Sequence, residues 1–264
     1  MSSHIVSTLR AAGCVFAEDE ARLLSDTASG PDELAEMVAR RAAGMPLEHV
    51  LGWASFCGLR VAVDPGVFVP RRRTELLAWQ AIRLAGRGAV VVDLCCGSGA
   101  VAAAVALTVP DARLYAVDVD PAAVRCARRN VPGGQVYEGD LYTPLPAALR
   151  GAVDVLVANA PYVPTDAIGL LPPEARLHEP RVALDGGADG LDVVRRVIAD
   201  AQRWLAPGGH LLIETSEAQA PLLLDAAGKA GLRPRQASDD GRSATILIAR
   251  APQERGPLSR RAPR

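Results

Sequence analysis

Long hydrophobic runs are missing from this sequence of 264 residues, and so is a surplus of charge of either sign. No stretch reaches the roughly eighteen apolar residues of a membrane span, so we expect no membrane partner. Residues 1–21 lack a basic segment followed by an apolar core, which argues against a signal peptide. The formal net charge is −1, which argues against a general nucleic-acid partner, although a local basic patch could still serve.

Disulfide and metal-binding patterns are also lacking. The five cysteines form no C-x-x-C pair and the four histidines are scattered, so we expect no metal site. The number of cysteines is odd and two of them, Cys95 and Cys96, are adjacent. These features favour free thiols in a reduced compartment, and therefore a cytoplasmic protein.

The chain shows no internal repeat, but its pattern changes along its length. Residues 1–50 carry apolar residues at three- and four-residue spacing, which predicts a small helical domain. Residues 51–75 alternate and contain turn residues, which predicts a β-hairpin linker. Residues 76–250 predict one large domain, and residues 251–264, rich in proline and arginine, predict a disordered tail.

Within the large domain, apolar strands alternate with helices, as in "AVVVD" and "VDVLVAN". Fully apolar strands separated by helices predict a parallel sheet that is covered on both faces. The segments "LRPRQAS" and "SATILIAR", joined by "DDGR", predict a closing hairpin with an antiparallel strand at one edge. The amphipathic segment "GLDVVRRVIADAQRWL" predicts a helix that ends at Pro207-Gly208-Gly209. The predicted fold is therefore α/β, Rossmann-like, with seven mostly parallel strands.

A turn of small residues follows the first of these strands and opens a helix. Its residues could let backbone N–H groups approach a ligand at the carboxyl end of the sheet; they are Asp93, Leu94, Cys95, Cys96, Gly97, Ser98 and Gly99. A dinucleotide and S-adenosylmethionine both fit such a loop. The charge of Asp93 ahead of the loop suits a sulfonium or amino group better than a pyrophosphate, so the loop favours S-adenosylmethionine.

Acidic residues also end the next two strands. Asp118 is placed to accept hydrogen bonds from ribose hydroxyls, because Asp120 before Pro121 is the better helix cap and leaves Asp118 free. Asp140, followed by Leu141, could accept a hydrogen bond from an adenine amino group.

The most informative motif is Asn159-Ala160-Pro161-Tyr162, at the end of the fourth strand. The Asn159 side chain offers a carbonyl acceptor, and Ala160, extended because it precedes a proline, can point its carbonyl into a site. Tyr162 offers a flat face for stacking. Two acceptors and a stacking surface predict a holder for a planar –NH₂ group that is aimed at an electrophilic methyl.

These motifs, in this order, resemble the HemK/PrmC-type protein-(glutamine-N5) methyltransferases, which have the class I S-adenosylmethionine-dependent fold. The resemblance covers residues 45–250, through the segments "GMPLEHVLGWASFCGLRVAVDPGVFVPRRRTELL", "VVDLCCGSGAVAAAVA", "AVDVDPAAVRCARRN", "GDLY", "NAPYVPT", "HEPRVALDGGADGLDVVRRVI" and "LAPGGHLLIET". It implies glutamine N5 methylation in the Gly-Gly-Gln motif of a peptide-chain release factor. It also implies a substrate-recognition role for the helical domain, and contact with nucleic acid only through a ribosome-associated substrate.

The resemblance also implies roles for matching residues. The catalytic set is Asn159, Ala160, Pro161 and Tyr162, and the cofactor-binding set is Asp93, Cys95, Cys96, Gly97, Ser98, Gly99, Asp118, Asp140, Leu141 and Asn159. Four residues depart from the family pattern. Cys95 replaces the first loop glycine, where a small side chain preserves close approach if φ is negative. Ala160 replaces a proline, and Arg72-Arg73 replace the usual proline and acidic residue.

Other functions remain open from the residues alone. A nucleic-acid methyltransferase acting on adenine N6 or guanine N2 would use a similar holder for an amino group, and so would a small-molecule amine N-methyltransferase. A protein that keeps the fold as a binding module would not need Asn159, Pro161 and Tyr162. A nicotinamide dehydrogenase leaves the tetrapeptide unexplained.

Overall fold

The computed structural model describes residues 2–253. The predicted disordered tail therefore lies outside the described residues from position 254 onward. Ten helices within residues 2–253 are α1 Ser2–Ala11, α2 Ala17–Thr27, α3 Pro31–Ala42, α4 Leu47–Leu51, α5 Glu75–Leu84, α6 Ala100–Thr108, α7 Pro121–Asn130, α8 Pro173–His178, α9 Asp192–Trp204 and α10 Ala220–Lys229. Nine strands in the same range are β1 Trp53–Phe56, β2 Leu59–Ala62, β3 Val90–Leu94, β4 Arg113–Asp118, β5 Gln135–Glu138, β6 Val153–Ala158, β7 Leu205–Thr215, β8 Arg233–Asp239 and β9 Ala244–Arg250.

Helices α1–α4 form a helical unit at the start of the chain. Proline at the first position of α3, acidic residues in its first turn and arginines in its last turn suit the helix dipole. The apolar stripes of these helices pack on one another, with Leu9, Leu24 and Met37 among the buried side chains. His49 of α4 is buried and its Nε2 lies 2.8 Å from the Val67 carbonyl oxygen, which connects the helical unit to the linker.

Strands β1 and β2 form the antiparallel hairpin that the alternating pattern predicted. Cys57 and Gly58 at its turn both have positive φ, of 48° and 78°, as a two-residue hairpin turn requires. Asn130, at the end of α7, fixes the hairpin, since it accepts a hydrogen bond from the Ala62 N–H at 2.9 Å and donates one to the Ala62 carbonyl at 2.8 Å. The end of the hairpin at Ala62 is therefore attached to α7 of the large sheet domain.

Seven strands form the large sheet, in the order β5-β4-β3-β6-β7-β9-β8. Strands β3 to β7 are parallel, and β9 runs antiparallel to both of its neighbours. This confirms the predicted fold class and the hairpin at one edge; β9, the antiparallel strand, is the inner strand of that hairpin and β8 is the edge. In the central strand β3, Val90, Val92 and Leu94 enter one core and Val91 enters the other, so the two faces of the sheet border separate cores.

The segment Pro207-Gly208-Gly209 lies elsewhere than predicted. Helix α9 ends at Trp204, and the proline and glycines fall inside β7. The pairing of β7 with β6 shifts register between Val153 and Val155, and a Cβ on Gly209 would lie 2.7 Å from the Val153 carbonyl oxygen. The glycine therefore permits close approach of two strands rather than the end of a helix.

The order of the strands reverses between β3 and β6, which are neighbours although two strands separate them in sequence. Ligands of open α/β sheets bind in the crevice beyond the carboxyl ends of such strands. In residues 2–253 we find no helix that is long and apolar enough to cross a membrane. The same residues hold no cluster of three or more His, Cys, Asp and Glu side chains that could bind a metal ion.

Candidate functional site

The loop after β3 is held to the neighbouring strand by Asp118. One carboxylate oxygen of Asp118 accepts the Gly97 N–H at 2.8 Å, and the other accepts the Asp120 N–H at 2.9 Å. Asp120 caps α7 by accepting from the Ala122 N–H, as the sequence predicted. Asp118 is therefore less free than we expected, but a carboxylate has about four acceptor positions. Asp118 also lines a cavity, where its remaining acceptor capacity is available to a ligand.

Cys95 adopts the left-handed conformation, with φ of 55°. The negative φ on which close approach was made conditional is therefore not found, and Cys95 takes a conformation that glycine adopts more readily. A non-glycine residue in this region costs on the order of 1–2 kcal/mol. Burial raises the pKa values of both Cys95 and Cys96, so both thiols stay protonated near neutral pH.

Asp93 is buried, with 2% of its surface exposed, and its side chain accepts the Ala102 N–H at 3.2 Å. Burial, helped by the nearby charge of Asp118, raises the pKa of Asp93 to about 7. Asp93 is also one of the residues that line the cavity. A buried carboxyl group with this pKa gains stability from a nearby cationic group.

Asp140 does not stand free beside the cavity, because its carboxylate forms an ion pair with Arg196 of α9. Leu141, which has a positive φ of 49°, turns its side chain into the core. Both residues line the same cavity as Asp93 and Asp118. Any adenine contact of Asp140 must therefore share its carboxylate with Arg196.

Asn159 follows β6 and lies next to the linker. Its Nδ2 donates to the hydroxyl of the buried Thr74 at 3.4 Å, which leaves the amide oxygen available as an acceptor. Ala160 is buried, and no donor within residues 2–253 bonds its carbonyl oxygen. The two acceptors predicted from the sequence are thus both without a protein donor in the described part of the chain.

Tyr162 is oriented by charged groups from two other elements. Its hydroxyl donates to Glu214 Oε1 at 3.4 Å, and the same oxygen accepts Arg73 Nε at 3.1 Å. The Arg73 guanidinium lies 5.7 Å from the centre of the Tyr162 ring. Burial and the charge of Glu214 raise the pKa of Tyr162 to about 12, so the phenol remains a donor near neutral pH.

The glycine-rich segment after α8 packs directly on the tetrapeptide. A Cβ on Gly186 would lie 2.7 Å from the Pro161 carbonyl oxygen, and one on Gly190 would lie 2.3 Å from that of Tyr162. Gly190 also has φ of 76°. Gln219 Nε2 donates to the Tyr162 carbonyl at 3.1 Å. Glycine is needed at both positions because backbone approaches backbone there.

Two adjoining cavities meet at Asn159. The first, of about 440 Å³, is lined by the loop after β3 together with Asp93, Asp118, Asp140, Leu141 and Pro161. The second, of about 270 Å³, is lined by Ala160, Tyr162, Arg71, Arg73, Leu171, Pro172 and Glu174. Asn159, Phe68 and Ala183 line both. The structure therefore gathers the predicted residues at one place but divides them between two compartments.

Several residues of this site were not assigned a role from the sequence. Phe68, Arg73 and Thr74 stand in the linker segment quoted above. Glu214 and Arg196 come from β7 and α9. Glu214 could have been found, because it lies near the carboxyl end of β7, as Asp93 and Asp118 do on their strands. The position of Arg196 depends on how α9 packs and has no signal in the sequence.

The first cavity fits S-adenosylmethionine by its chemistry. Its volume lies in the range of small-molecule sites, roughly 300–1,000 Å³. Asp93 and Asp118 both line it with carboxyl groups. Apart from Gly97 and its two neighbours in the chain, no atom of the described residues lies within 4 Å of where a Gly97 Cβ would be. The loop therefore leaves open space beside its backbone for a ligand.

A family model described as "Methyltransferase small domain" matches residues 58–170. The chain is 41% identical over 213 residues to a release factor glutamine methyltransferase of Geobacter sulfurreducens, covering 78% of this chain and 74% of that protein. It is 40% identical over 213 residues to a 4-amino-L-phenylalanine/4-methylamino-L-phenylalanine methyltransferase of Streptomyces pristinaespiralis. That similarity covers 75% of this chain and 72% of the Streptomyces protein.

Among solved structures, a methyltransferase from Pyrococcus furiosus shares the fold, with a TM-score of 0.55 at 18% identity. The match covers 74% of this chain and 90% of that one. At this identity the likeness concerns the fold alone.

We predict that Gly190→Ala destabilises the protein, by roughly 3 kcal/mol, through the left-handed backbone and the displaced Tyr162 carbonyl. Gly228→Ala is the matched control, since Gly228 lies in α10 with no atom within 4 Å of the added Cβ. The control should be as stable as the wild type, or more stable by up to about 1 kcal/mol. Urea unfolding of both variants measures this, and equal stabilities would contradict the packing.

We predict that Asp93→Asn raises the melting temperature of the ligand-free protein, and does so more at pH 8 than at pH 5. The pKa of about 7 in the folded state exceeds the ordinary value of 3.8. Stability present below pH 3.8 is therefore lost as the pH rises toward 7, by on the order of 4 kcal/mol in total. The asparagine carries no such charge. If the melting temperature of Asp93→Asn is not higher than that of the wild type, or if the increase is larger at pH 5 than at pH 8, this account of Asp93 is wrong.

Proposed function

The chain belongs to the release factor glutamine methyltransferase family, and we propose that it methylates the side-chain amide nitrogen (N5) of a glutamine in the Gly-Gly-Gln motif of a peptide-chain release factor. It is an enzyme that uses S-adenosylmethionine and acts on a protein substrate. The observation that carries the proposal is the position of Asn159 at the junction of two cavities.

The first cavity would hold S-adenosylmethionine. Asp118 would accept hydrogen bonds from its ribose hydroxyls, and the charge of Asp93 would favour its cationic end. The loop from Cys95 to Gly99, with Asp140 and Leu141, would form the remaining walls. When bound, the cofactor supplies an electrophilic methyl group on a sulfonium.

Asn159 and Ala160 would hold the glutamine amide in the second cavity. The Asn159 amide oxygen accepts one N–H of the target and the Ala160 carbonyl accepts the other, which aims the nitrogen at the first cavity. An amide nitrogen is a poor nucleophile because its lone pair is delocalised. The two acceptors favour a pyramidal nitrogen and stabilise the positive charge that develops on it.

Thr74 and Tyr162 complete the holder. Thr74 accepts from Asn159 Nδ2, so the amide oxygen, not the NH₂, faces the target. Tyr162, with its hydroxyl on Glu214, would set the plane of the amide by stacking. No general base is needed before transfer, because the nitrogen loses its proton to water after the methyl group has moved.

A cytoplasmic location is part of this proposal. All five cysteines are free thiols, which suits a reducing compartment. A release factor is met in the same compartment as the ribosome, so contact with RNA would be indirect, through that substrate.

A free aromatic amine is the second candidate substrate, because the chain is also 40% identical to the aminophenylalanine methyltransferase. An arylamine and a carboxamide both present a planar –NH₂ group, so the pair of acceptors at Asn159 and Ala160 serves either. The named activities of these relatives, on a protein and on an amino acid, favour neither adenine N6 nor guanine N2 as the target.

Asn159→Ala is expected to lower kcat about a hundredfold, because it removes an acceptor that is aimed at charge in the transition state. KM should change far less. Thr74→Val keeps the shape but removes the bond that orients Asn159, so it should give a smaller loss of kcat. Steady-state kinetics on the release factor measures both variants. Full turnover by Asn159→Ala would refute the role of Asn159.

Mass spectrometry tests the substrate. We expect the purified protein with S-adenosylmethionine to add about 14 Da, one methyl group, to the Gly-Gly-Gln peptide of a release factor from the same cells. 4-Aminophenylalanine is assayed in parallel. Methylation of the amino acid alone would replace the proposed substrate with the second candidate, and methylation of neither would refute both.

A further inference from the structure

Arg41, in the last turn of α3, is a buried cation with two acidic partners. Its side chain is 9% exposed. Nε lies 2.6 Å from Glu20 Oε2 and Nη2 lies 3.2 Å from Glu20 Oε1, so Glu20 of α2 is bound through both oxygens. Burial alone would lower the pKa of Arg41, but its hydrogen bonds to Glu20 and Glu174 outweigh that effect and raise it. The guanidinium is therefore fully charged.

The second partner lies outside the helical unit. Arg41 Nη1 donates to Glu174 Oε1 at 2.6 Å, across 133 positions of sequence, and to the Met45 carbonyl at 3.1 Å. Glu174 belongs to α8 and lines the second cavity, with Leu171 and Pro172 just before it. One planar guanidinium thus binds α2 on one side and the wall of the proposed glutamine pocket on the other.

Glu174 is not needed to neutralise Arg41. Glu20, itself buried, already supplies one negative charge, and the Glu174 side chain is 47% exposed and could be solvated. The bond to Glu174 therefore adds orientation more than charge balance. Arginine suits this use, since its donors are held in a rigid fork, whereas a lysine ammonium on a flexible stem would leave the angle free.

Exposed apolar side chains flank this contact. Eight large apolar side chains are exposed within residues 3–253. Two of them, Val15 and Phe16, lie just before α2; Leu170 lies before α8 and Leu177 lies within it. We call the contacts of Arg41 with Glu20 and Glu174 the clamp. The Phe16 carbonyl accepts the N–H of Glu20, so Phe16 lies one helical turn from the clamp. Burial raises the pKa of the Cys14 thiol, and the charges of Arg41, Glu20 and Glu174 all act on it, which places this turn beside the clamp.

We propose that Arg41 is a positioning residue, which through Glu174 holds the helical unit at a fixed angle to α8. A protein substrate then contacts two apolar edges, Val15 and Phe16 before α2 (the α2 edge) and Leu170 and Leu177 beside α8 (the α8 edge), while its glutamine enters the second cavity. This inference rests on the proposed function. The occupant of the two edges is the protein substrate, because Leu171 and Glu174, which line the cavity with Asn159 and Tyr162, lie between Leu170 and Leu177 in the chain. A free amino acid or short peptide would reach the cavity without touching the edges.

Glu174→Ala tests the proposal, with Glu18→Ala as the matched control. Glu18 is an exposed glutamate of the helical unit that pairs with Arg10, away from the cavities. With intact release factor, Glu174→Ala should raise KM about tenfold, the low end for one lost charged hydrogen bond, with kcat within twofold. With a short peptide that contains Gly-Gly-Gln, which meets only the cavity that Glu174 lines, KM should rise at least threefold less than it does with the intact release factor. Glu174→Gln, which keeps an acceptor, should restore part of the loss.

Unchanged KM for the intact release factor would overturn the proposal. An equal rise for the protein and the peptide would also overturn it, because Glu174 would then belong to the glutamine pocket itself. A rise of the same size in Glu18→Ala would show a general loss of stability instead of a clamp.

Hydrogen exchange separates this inference from the proposed function. If the wild type methylates no release factor, the proposed function fails, but the clamp can still be measured. Glu174→Ala should then speed exchange at the amides of Arg176 and Glu179, which bond the Pro172 and Ala175 carbonyls, and in α3, at least severalfold over Glu18→Ala. Unchanged exchange at these amides would overturn the clamp whatever the substrate.

Discussion

The parallel pairing of β3 with β6 is the constraint on which the site depends. Leu94 pairs with Ala158 at the carboxyl ends of the two strands. The loop that starts at Cys95 and the tetrapeptide that starts at Asn159 therefore leave the sheet side by side, although more than sixty positions separate them. Every later feature, from the cavity of Asp93 to the junction at Asn159, follows from that adjacency.

A short segment of the linker connects the rest of the site to this pair of strands. Arg71 binds both oxygens of the buried Glu179 at 2.6–2.7 Å, and Arg73 binds the buried Glu214. Thr74 accepts from Asn159. Buried carboxylates are costly unless they are paired, so the arginines and the acids each account for the presence of the other. Arg73, which departs from the family pattern, lies beside Tyr162 because it is bound to Glu214.

Predictions from the sequence succeeded where a local rule decides the outcome. The apolar strands, the presence of a hairpin in the linker and the cap at Asp120 each follow from a few neighbouring residues, and so does the place of the small-residue loop. Predictions failed where a residue makes a contact with another residue that is far away in the sequence. Cys95 takes a positive φ because the loop must return to Asp118, and Asp140 is paired because α9 brings Arg196 to it.

The sequence by itself determined the class of fold, the order of the strands along the chain, and which functional groups stand together in Asn159-Ala160-Pro161-Tyr162, because alternation, turn residues and functional groups are local properties. Only the tertiary structure decided that Thr74 orients Asn159, that Glu214 holds Tyr162, and that Arg41 reaches Glu174. These contacts join residues that are 52 to 133 positions apart. Their partners are selected by the burial of polar groups that must be paired, and the packing of whole elements, not the sequence near either residue, brings them within reach.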